Sequence, residues 1–302
     1  MTTSTPPLLA VATPSLGLAP VGRHEVCLGA FQRAASAIGA ADVPVTRRVS
    51  GGPALWLAPT TLHLQLWLPH AAALVADADL PRLLNRHVRP LLRALRSLDP
   101  RASYGGRDWV TLGRRPGAWL GLAHHAASGA CLVEAFFPCD EAFALPPSLD
   151  ASPPRQIPAW LGLTPASLAA IAGRPVDPDA LALSLADALD ELAPGGSLAR
   201  APAPTRTEAD DHRPAWSHVV EEAIGLVGAG LFPLEIGGDF LASSDLVVAI
   251  NERLASAPPR PGHAMELLAA ALDATPGAAL EGVRDVRSLA EVLERLGLGG
   301  NR

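Results

Sequence analysis

Two arginines, a serine and two glycines follow one another in the stretch Arg47-Arg48-Val49-Ser50-Gly51-Gly52-Pro53-Ala54-Leu55. Guanidinium groups present fixed pairs of N–H donors that match a carboxylate or a phosphate. Serine and glycine let backbone N–H groups approach an anion closely. The stretch therefore predicts an anion-binding turn; the alternative is an ordinary tight turn with solvated arginines.

Strand patterns lie on both sides of this turn. Glu25–Leu28 is a short strand candidate before it. After it, Leu62–Leu68 alternates, with leucines on one face and His63 on the other, which is typical of a half-buried strand. Residues 130–137 are apolar on both faces apart from Glu134, which indicates a strand in the middle of a covered sheet.

Helical patterns alternate with these strands. Residues 80–98 carry apolar side chains at helical spacing, with Asp79 as a cap and Pro90 expected to kink or split the helix. Residues 164–173 and 177–195 predict two further helices, because each stretch begins with a capping residue and a proline and ends at or near a glycine. Strands mixed with helices predict an α+β fold, a mixed α/β sheet flanked by helices.

The composition divides the chain into four predicted parts. Residues 1–22, rich in proline and threonine, are expected to be a disordered lead-in, and residues 23–193 a mixed α/β domain. Residues 194–214 read as a linker because they lack periodicity. Residues 215–302 are expected to form a small α+β accessory domain, whose last helix begins at the capping box Ser288/Glu291 and ends at Gly297.

Charge and cysteine usage restrict the function classes. A net charge of −6 over 302 residues argues against general binding to nucleic acid, and no apolar run is long enough to cross a membrane. Three cysteines without metal or disulfide spacing suit a reducing compartment, so we predict a cytoplasmic protein. The sequence contains no lysine, so all 24 Lys-plus-Arg positions are arginine. Any mechanism that needs a side-chain ammonium group is therefore excluded.

Two further features have more than one interpretation. Arginines recur every three or four residues along the predicted helix, at Arg82, Arg86, Arg89, Arg93 and Arg96. A solvated helix face is the favoured interpretation; a nucleic-acid surface and a docking site for an acidic protein are the alternatives. Cys139 is a candidate nucleophile, with a buried inert thiol as the favoured interpretation.

The motifs resemble, in their order, those of the lipoate–protein ligase and octanoyltransferase family, which is related in fold to the biotin–protein ligases. The Arg-Arg-x-Ser-Gly-Gly stretch is similar to the signature loop of that family, and residues 26–32 to its upstream strand. Further similar blocks lie at residues 105–110, 113–118, 128–132 and 172–176. Residues 221–225 and 237–240 resemble the accessory domain that some ligases carry, so the resemblance spans roughly residues 24–296.

The resemblance implies ATP-dependent activation of lipoate as an acyl-adenylate, with Mg²⁺, and transfer to a lysine of a lipoyl carrier domain. The carrier would be of the 2-oxoacid dehydrogenase E2 or glycine cleavage H-protein type. The implied catalytic residues are Asp108 and, in place of the lysine of the family, Arg114 or Arg115. The implied ligand-binding residues are Arg47, Arg48, Ser50, Gly51, Gly52, Pro53, His63, Arg107, Gly117, Ser128 and Gly129.

Three positions depart from the pattern of the family. Pro53 replaces the third glycine of the loop and removes a backbone donor, and Ser128 replaces a histidine. Arginine in place of the catalytic lysine keeps the charge but is bulkier and differently aimed. Two functions stay open: a ligase in which arginine acts for lysine, and a non-catalytic relative that binds a lipoyl group, an acyl-adenylate or a carrier protein. A pocket filled by Pro53 and Trp119 would favour the second.

Overall fold

The computed structural model describes residues 11–37, 43–105, 108–143, 163–209, 216–222, 225–231, 234–256, 262–281 and 286–297. The first strands and helices are β1 Ser15–Pro20, β2 Glu25–Leu28, α1 Ala34–Ala37, β3 Val45–Arg47, β4 Leu55–Leu57, β5 Leu62–Leu68, α2 Leu83–Leu95, β6 Ser103–Tyr104, β7 Trp109–Leu112, β8 Arg115–His124 and β9 Cys131–Phe137. They are followed by α3 Leu168–Ala172, α4 Pro178–Asp190, β10 Ala199–Arg200, β11 Thr207–Glu208, β12 His218–Glu222, β13 Gly225–Leu231, β14 Leu234–Gly238, β15 Leu241–Ala242, α5 Ser244–Ser256, α6 Ala264–Ala274, β16 Leu280–Glu281 and α7 Val286–Gly297.

A seven-stranded mixed sheet forms the centre of the first domain, in the order β10-β1-β5-β9-β8-β7-β6. Its neighbours are antiparallel except β1 and β10, which run parallel. A four-stranded sheet, β11-β3-β2-β4, also contains one parallel pair, β2 with β3. The predicted α+β class, with a mixed sheet flanked by helices, is confirmed.

The main core lies on the leucine face of β5. Leu62, Leu64, Leu66 and Leu68 pack there with the buried side chains of α2 and α4. Alternation of side chains along a strand puts these leucines on one face and His63 on the opposite face. The strand has its predicted bounds, but it is not half-buried: the helices cover its leucine face, and His63 and Gln65 on the opposite face are buried as well.

The opposite face of the large sheet carries two rows of facing side chains. Cross-strand pairing places Glu134 between Gln65 and Gly121. In the next row Phe136 lies between His63 and Trp119, and Trp119 in turn pairs with Trp109. These two rows contact the turn between β3 and β4, because Ser50 bonds to Glu134 and Gly52 contacts Trp119.

The C-terminal region has its own core. Strands β12, β13 and β14 form an antiparallel sheet, and the buried faces of α5, α6 and α7 pack with it. This region contacts β8 of the large sheet, where His124 Nδ1 lies 2.7 Å from Ser243 Oγ. The carboxylate of Asp245 accepts hydrogen bonds from the backbone N–H groups of Ala126 and Ala127, each at 3.0 Å. The domain boundaries themselves stay a prediction.

Several local structures differ from the sequence prediction. Residues 15–20 form β1 in the segment predicted as a disordered lead-in, because they pair along their whole length with β5. The predicted linker contains β10 and β11, which extend the edges of two sheets. Helix α2 continues through Pro90, since the apolar face around it is buried against the sheet and α4. Helix α7 begins at Val286, so Ser288 lies inside it and the predicted capping box is wrong.

The hairpin between β7 and β8 has a two-residue turn, Gly113–Arg114, in which both residues have positive φ, 56° and 72°. This is the backbone that a two-residue hairpin favours, but a side chain with a Cβ is strained there. We expect Arg114→Gly to raise the free energy of unfolding, by up to about 1 kcal/mol. Arg115→Gly, in the extended backbone of β8, is the matched control and should lower it by about 0.5–1 kcal/mol. Urea denaturation measures both, and equal effects of the two changes would contradict the strain.

Candidate functional site

The turn between β3 and β4 is organised around the buried side chain of Arg48. Its guanidinium donates four hydrogen bonds to three backbone carbonyls: to Gly51 at 3.2 and 2.7 Å, to Pro53 at 2.7 Å and to Cys27 at 3.1 Å. A fork of fixed donors suits this role, which lysine cannot fill. The arginine predicted to hold an anion therefore binds the backbone of its own turn.

Arg47 holds a neighbouring turn in a similar way. Its Nη1 lies 3.0, 3.3 and 2.6 Å from the carbonyl oxygens of Gly29, Ala30 and Gln32. The side chain of Gln32 accepts a hydrogen bond from the backbone of Gly29 at 2.8 Å. Residues 29–32, which the sequence singled out as the end of the upstream strand motif, are thus bound to β3.

The space beside the turn is filled by an indole ring. Trp119 is fully buried, and the guanidinium carbon of Arg48 lies 4.1 Å from the centre of its ring. A Cβ added to Gly52 would lie 2.9 Å from this ring, and one added to Gly121 would also collide with it. Pro53 is buried at the same turn. The glycines are needed here because the indole lies directly against their backbone.

The C-terminal region covers the glycines of the turn. The backbone N–H of Gly52 donates to the carbonyl of Phe240 at 3.1 Å. A Cβ at Gly51 would collide with that same carbonyl oxygen. The donor that the sequence assigned to an anion is thus occupied by the protein backbone.

A buried carboxylate lies under the turn. Glu134, at the middle of β9, is 0% exposed and accepts four hydrogen bonds. Oε2 accepts from the N–H and the hydroxyl of Ser50 at 3.0 and 2.5 Å. Oε1 accepts from Gln65 Nε2 at 2.9 Å and from His63 Nε2 at 2.7 Å. The carboxylate therefore ties β5 and β9 to the turn.

The proton of His63 is fixed by an arginine on its other side. Arg206 Nη1 lies 2.8 Å from His63 Nδ1, and because a guanidinium only donates, Nδ1 accepts and Nε2 carries the hydrogen. Arg206 in turn donates to the buried Glu25 at 2.5 Å. Burial lowers the pKa of His63, which outweighs the opposite effect of Glu134. The imidazole is therefore neutral at pH 7 and cannot gain a proton without losing Arg206.

Two buried donors in this region lack an acceptor. The indole N–H groups of Trp109 and Trp119 have no hydrogen-bond partner in the part of the chain that the structure describes. Both rings are fully buried in an aromatic cluster that includes Phe136 and Phe143. An unsatisfied buried donor costs about 1–3 kcal/mol. Such a pair marks a place where an acceptor from outside the chain would be stabilising.

The predicted catalytic residues lie apart from one another. Asp108 is 3% exposed and close enough to Arg48 to raise the pKa of that guanidinium, although burial lowers it more. Arg114 and Arg115 are exposed at the tip of the β7–β8 hairpin. Arg107 lies outside the described residues.

The remaining predicted ligand residues lie near the two ends of β8. Gly117 faces α3, since a Cβ there would collide with Leu112 and Ile171. Ser128 and Gly129 lie in the turn between β8 and β9, where Ser128 Oγ is 3.0 Å from His125 Nδ1. Strand β8 separates this turn from the hairpin tip by about 30 Å at 3.3 Å per residue. The structure therefore places His63 beside the Arg48–Pro53 turn. The predicted residues at the two ends of β8 lie away from this turn.

Three residues that the sequence analysis did not assign to the site are central to its geometry: Glu134, Gln65 and Trp119. The lone carboxylate in an otherwise apolar strand was the available signal for Glu134, because a charge is buried only where donors compensate it. The positions of Gln65 and Trp119 at the site depend on the register between strands, which a single sequence does not contain.

The two features with open interpretations lie outside this site. Three arginines of the α2 stripe form surface ion pairs, which are Arg82–Asp79, Arg86–Asp77 and Arg93–Glu191. Cys139 is buried, and burial raises the pKa of its thiol to about 12, so that it is protonated and unreactive at neutral pH.

Arg48→Lys tests the role of the guanidinium in the turn. The single nitrogen of an ammonium group cannot replace three nitrogens that point at different carbonyls, so we expect the free energy of unfolding to fall by at least about 3 kcal/mol. Arg115→Lys, at an exposed position, is the control and should change it by less than about 0.5 kcal/mol. Urea denaturation at pH 7.5 compares them. Equal stability of the two variants would refute the assignment of Arg48 to the turn.

The lowered pKa of His63 predicts a pH dependence of stability. The unfolded chain takes up a proton near pH 6.5 that folded His63 does not bind. The stability that comes from the neutral His63 is therefore fully present above that pH and is lost as the pH falls. Its limiting slope is about 1.4 kcal/mol per pH unit for one histidine. In His63→Gln, which keeps a donor for Glu134, the free energy of unfolding should fall less between pH 7.5 and 5.5. His87 and His124, whose pKa burial also lowers, remain in both proteins. Identical slopes would show that His63 does not contribute.

No family model matches the sequence, and neither does a curated protein. The structure is similar to that of LipL1 from P. falciparum in complex with lipoate, with a TM-score of 0.59 and 12% identity, over 94% of this chain and 87% of that chain. A bipartite lipoate protein ligase from Thermoplasma acidophilum gives a TM-score of 0.46 and 17% identity over 59% of this chain and 71% of that one. Within the described residues, no helix is both long and apolar enough to span a membrane. The similarity to LipL1 shows that this chain has the lipoate/biotin ligase-like fold that its motifs predicted.

Proposed function

We propose that this protein is a non-catalytic lipoate ligase-like protein that binds a lipoyl group or a similar acyl group. The observation that carries this proposal is the pair of buried indole N–H donors, Trp109 and Trp119, without an acceptor in the described residues. A carbonyl oxygen of an acyl group can accept from an indole, and the surrounding aromatic cluster suits an apolar acyl chain. Because the ring of Trp119 fills the space beside the glycines, this binding requires the ring to move.

The residues of the turn do not fit ATP or an acyl-adenylate. Formation of an adenylate needs donors and a cation at the reacting carboxylate and phosphate. Here the N–H groups of Ser50 and Gly52 bind Glu134 and Phe240, and Arg48 binds three carbonyls. Pro53 has no N–H to offer. The exposed hairpin position of Arg114 and Arg115 supports the same conclusion.

The choice of a lipoyl group rests on two supports. The sequence motifs resemble those of lipoate–protein ligases, and LipL1, which has the same fold, was solved in complex with lipoate. A lipoyl carrier domain, of the E2 or H-protein type, is the partner that would present such a group. Mg²⁺ has no role in this proposal, because no phosphate is transferred.

Isothermal titration of the protein with lipoate and with lipoamide tests binding. We expect at least one of them to bind, and Trp119→Phe, which removes one indole donor but keeps an aromatic ring, to weaken that binding about fivefold, the equivalent of about 1 kcal/mol. Trp67→Phe, on the same face of the sheet but outside the cluster, is the matched control and should bind like the natural protein. Binding that is indifferent to Trp119→Phe would place the ligand elsewhere.

The intact mass of an apo lipoyl domain, after incubation with this protein, ATP, magnesium and lipoate, tests catalysis. We expect no lipoyl mass gain, while a known ligase modifies the same carrier in parallel. A gain that disappears in the double variant Arg114→Ala/Arg115→Ala would refute the proposal and establish a ligase with arginine acting in place of lysine.

A further inference from the structure

The turn that resembles an anion-binding loop already holds a carboxylate of the protein itself. Both donors of Ser50, its N–H and its hydroxyl, bind Oε2 of Glu134 at 3.0 and 2.5 Å. Gln65 and His63 bind the other oxygen. Glu134 thus occupies the position at the turn that the carboxylate or phosphate of a ligand would need.

Glu134 keeps its negative charge at neutral pH. Burial alone would raise its pKa, but the hydrogen bonds from His63, Ser50 and Gln65 outweigh burial and lower it. No arginine of the described residues bonds to this carboxylate directly; Arg206 reaches it only through the neutral ring of His63. Neutral donors therefore compensate the charge of Glu134. A more weakly bound anion does not displace this carboxylate from them.

We propose that Glu134 is the specificity-determining residue of the acyl site, excluding free acids and selecting a neutral acyl group, which is an amide, an ester or a thioester. This inference rests on the proposed acyl-binding function. A second carboxylate beside Glu134 would be repelled in a buried, low-dielectric place, where the neighbouring arginines of the described residues are already bound to other groups. Arg48 and Arg47 are bound to backbone carbonyls, and the buried Asp108 adds another acidic group near Arg48.

The donors that remain suit a neutral carbonyl. The indole N–H groups of Trp109 and Trp119 are uncharged, and an acyl carbonyl oxygen can accept a hydrogen bond from an indole N–H. An amide, ester or thioester offers this oxygen without bringing a charge into the aromatic cluster. Burying the charge of a free acid costs far more free energy than a hydrogen bond from an indole N–H contributes.

The first test compares lipoamide with lipoate, an anion at pH 7.5, by isothermal titration of the natural protein. We expect lipoamide to bind at least about tenfold more tightly. In Glu134→Gln, which removes the charge but keeps the shape, this preference should fall by about tenfold or more. Glu191→Gln, at an exposed carboxylate, is the matched control and should keep the preference. Lipoate binding as tightly as lipoamide to the natural protein would overturn the inference.

The second test does not depend on lipoyl binding. In Glu134→Ala the turn loses its carboxylate, so formate should bind there and raise the melting temperature by roughly 2–4 °C relative to chloride at equal ionic strength. The natural protein and Glu191→Ala should show no such difference. If Glu134→Ala does not fold in chloride, recovery of folded protein in formate is the same result. Absence of any formate effect would show that the turn is not a carboxylate site. Formate rescue with no binding of either lipoyl compound would refute the acyl-binding function, and with it the specificity role, and would leave Glu134 only as the carboxylate that holds the turn.

Discussion

The hydrogen bonds of one buried carboxylate connect the parts of this site. Glu134 lies in the middle of β9 with no exposed surface, and it accepts hydrogen bonds from the neighbouring strand β5 and from the turn after β3. A buried charge is stable only where donors replace the water that it has lost. That requirement fixes the positions of Ser50, Gln65 and His63, and through His63 that of Arg206 in a segment far along the chain.

The turn itself is stabilised by groups that could otherwise have held a ligand. Arg48 binds three carbonyls of its own surroundings, and the ring of Trp119 packs on the glycines. The C-terminal region adds the carbonyl of Phe240 on the other side of the turn. An anion-binding motif can therefore remain in the sequence while its donors serve the fold.

The two faces of the large sheet carry different kinds of side chain. One face carries the leucines that pack on the helices and form the main core. The other face carries the polar row of Gln65 and Glu134 beside the aromatic row of His63, Phe136 and Trp119. Because side chains alternate along a strand, the two faces can change independently. The polar and aromatic rows can thus change while the leucine face preserves the fold.

The sequence by itself determined the fold class, the strands Glu25–Leu28 and Leu62–Leu68, and the helix stop at Gly173, because these depend on local periodicity and backbone preferences. It also identified the turn with Arg48 and Ser50 as the unusual segment. Only the tertiary structure decided which partners those side chains have. Register across three strands places Glu134 under Ser50 and Trp119 on Gly52, and separates Arg114 from Ser128 by the length of β8. These are contacts between residues distant in sequence, and local patterns carry no information about them.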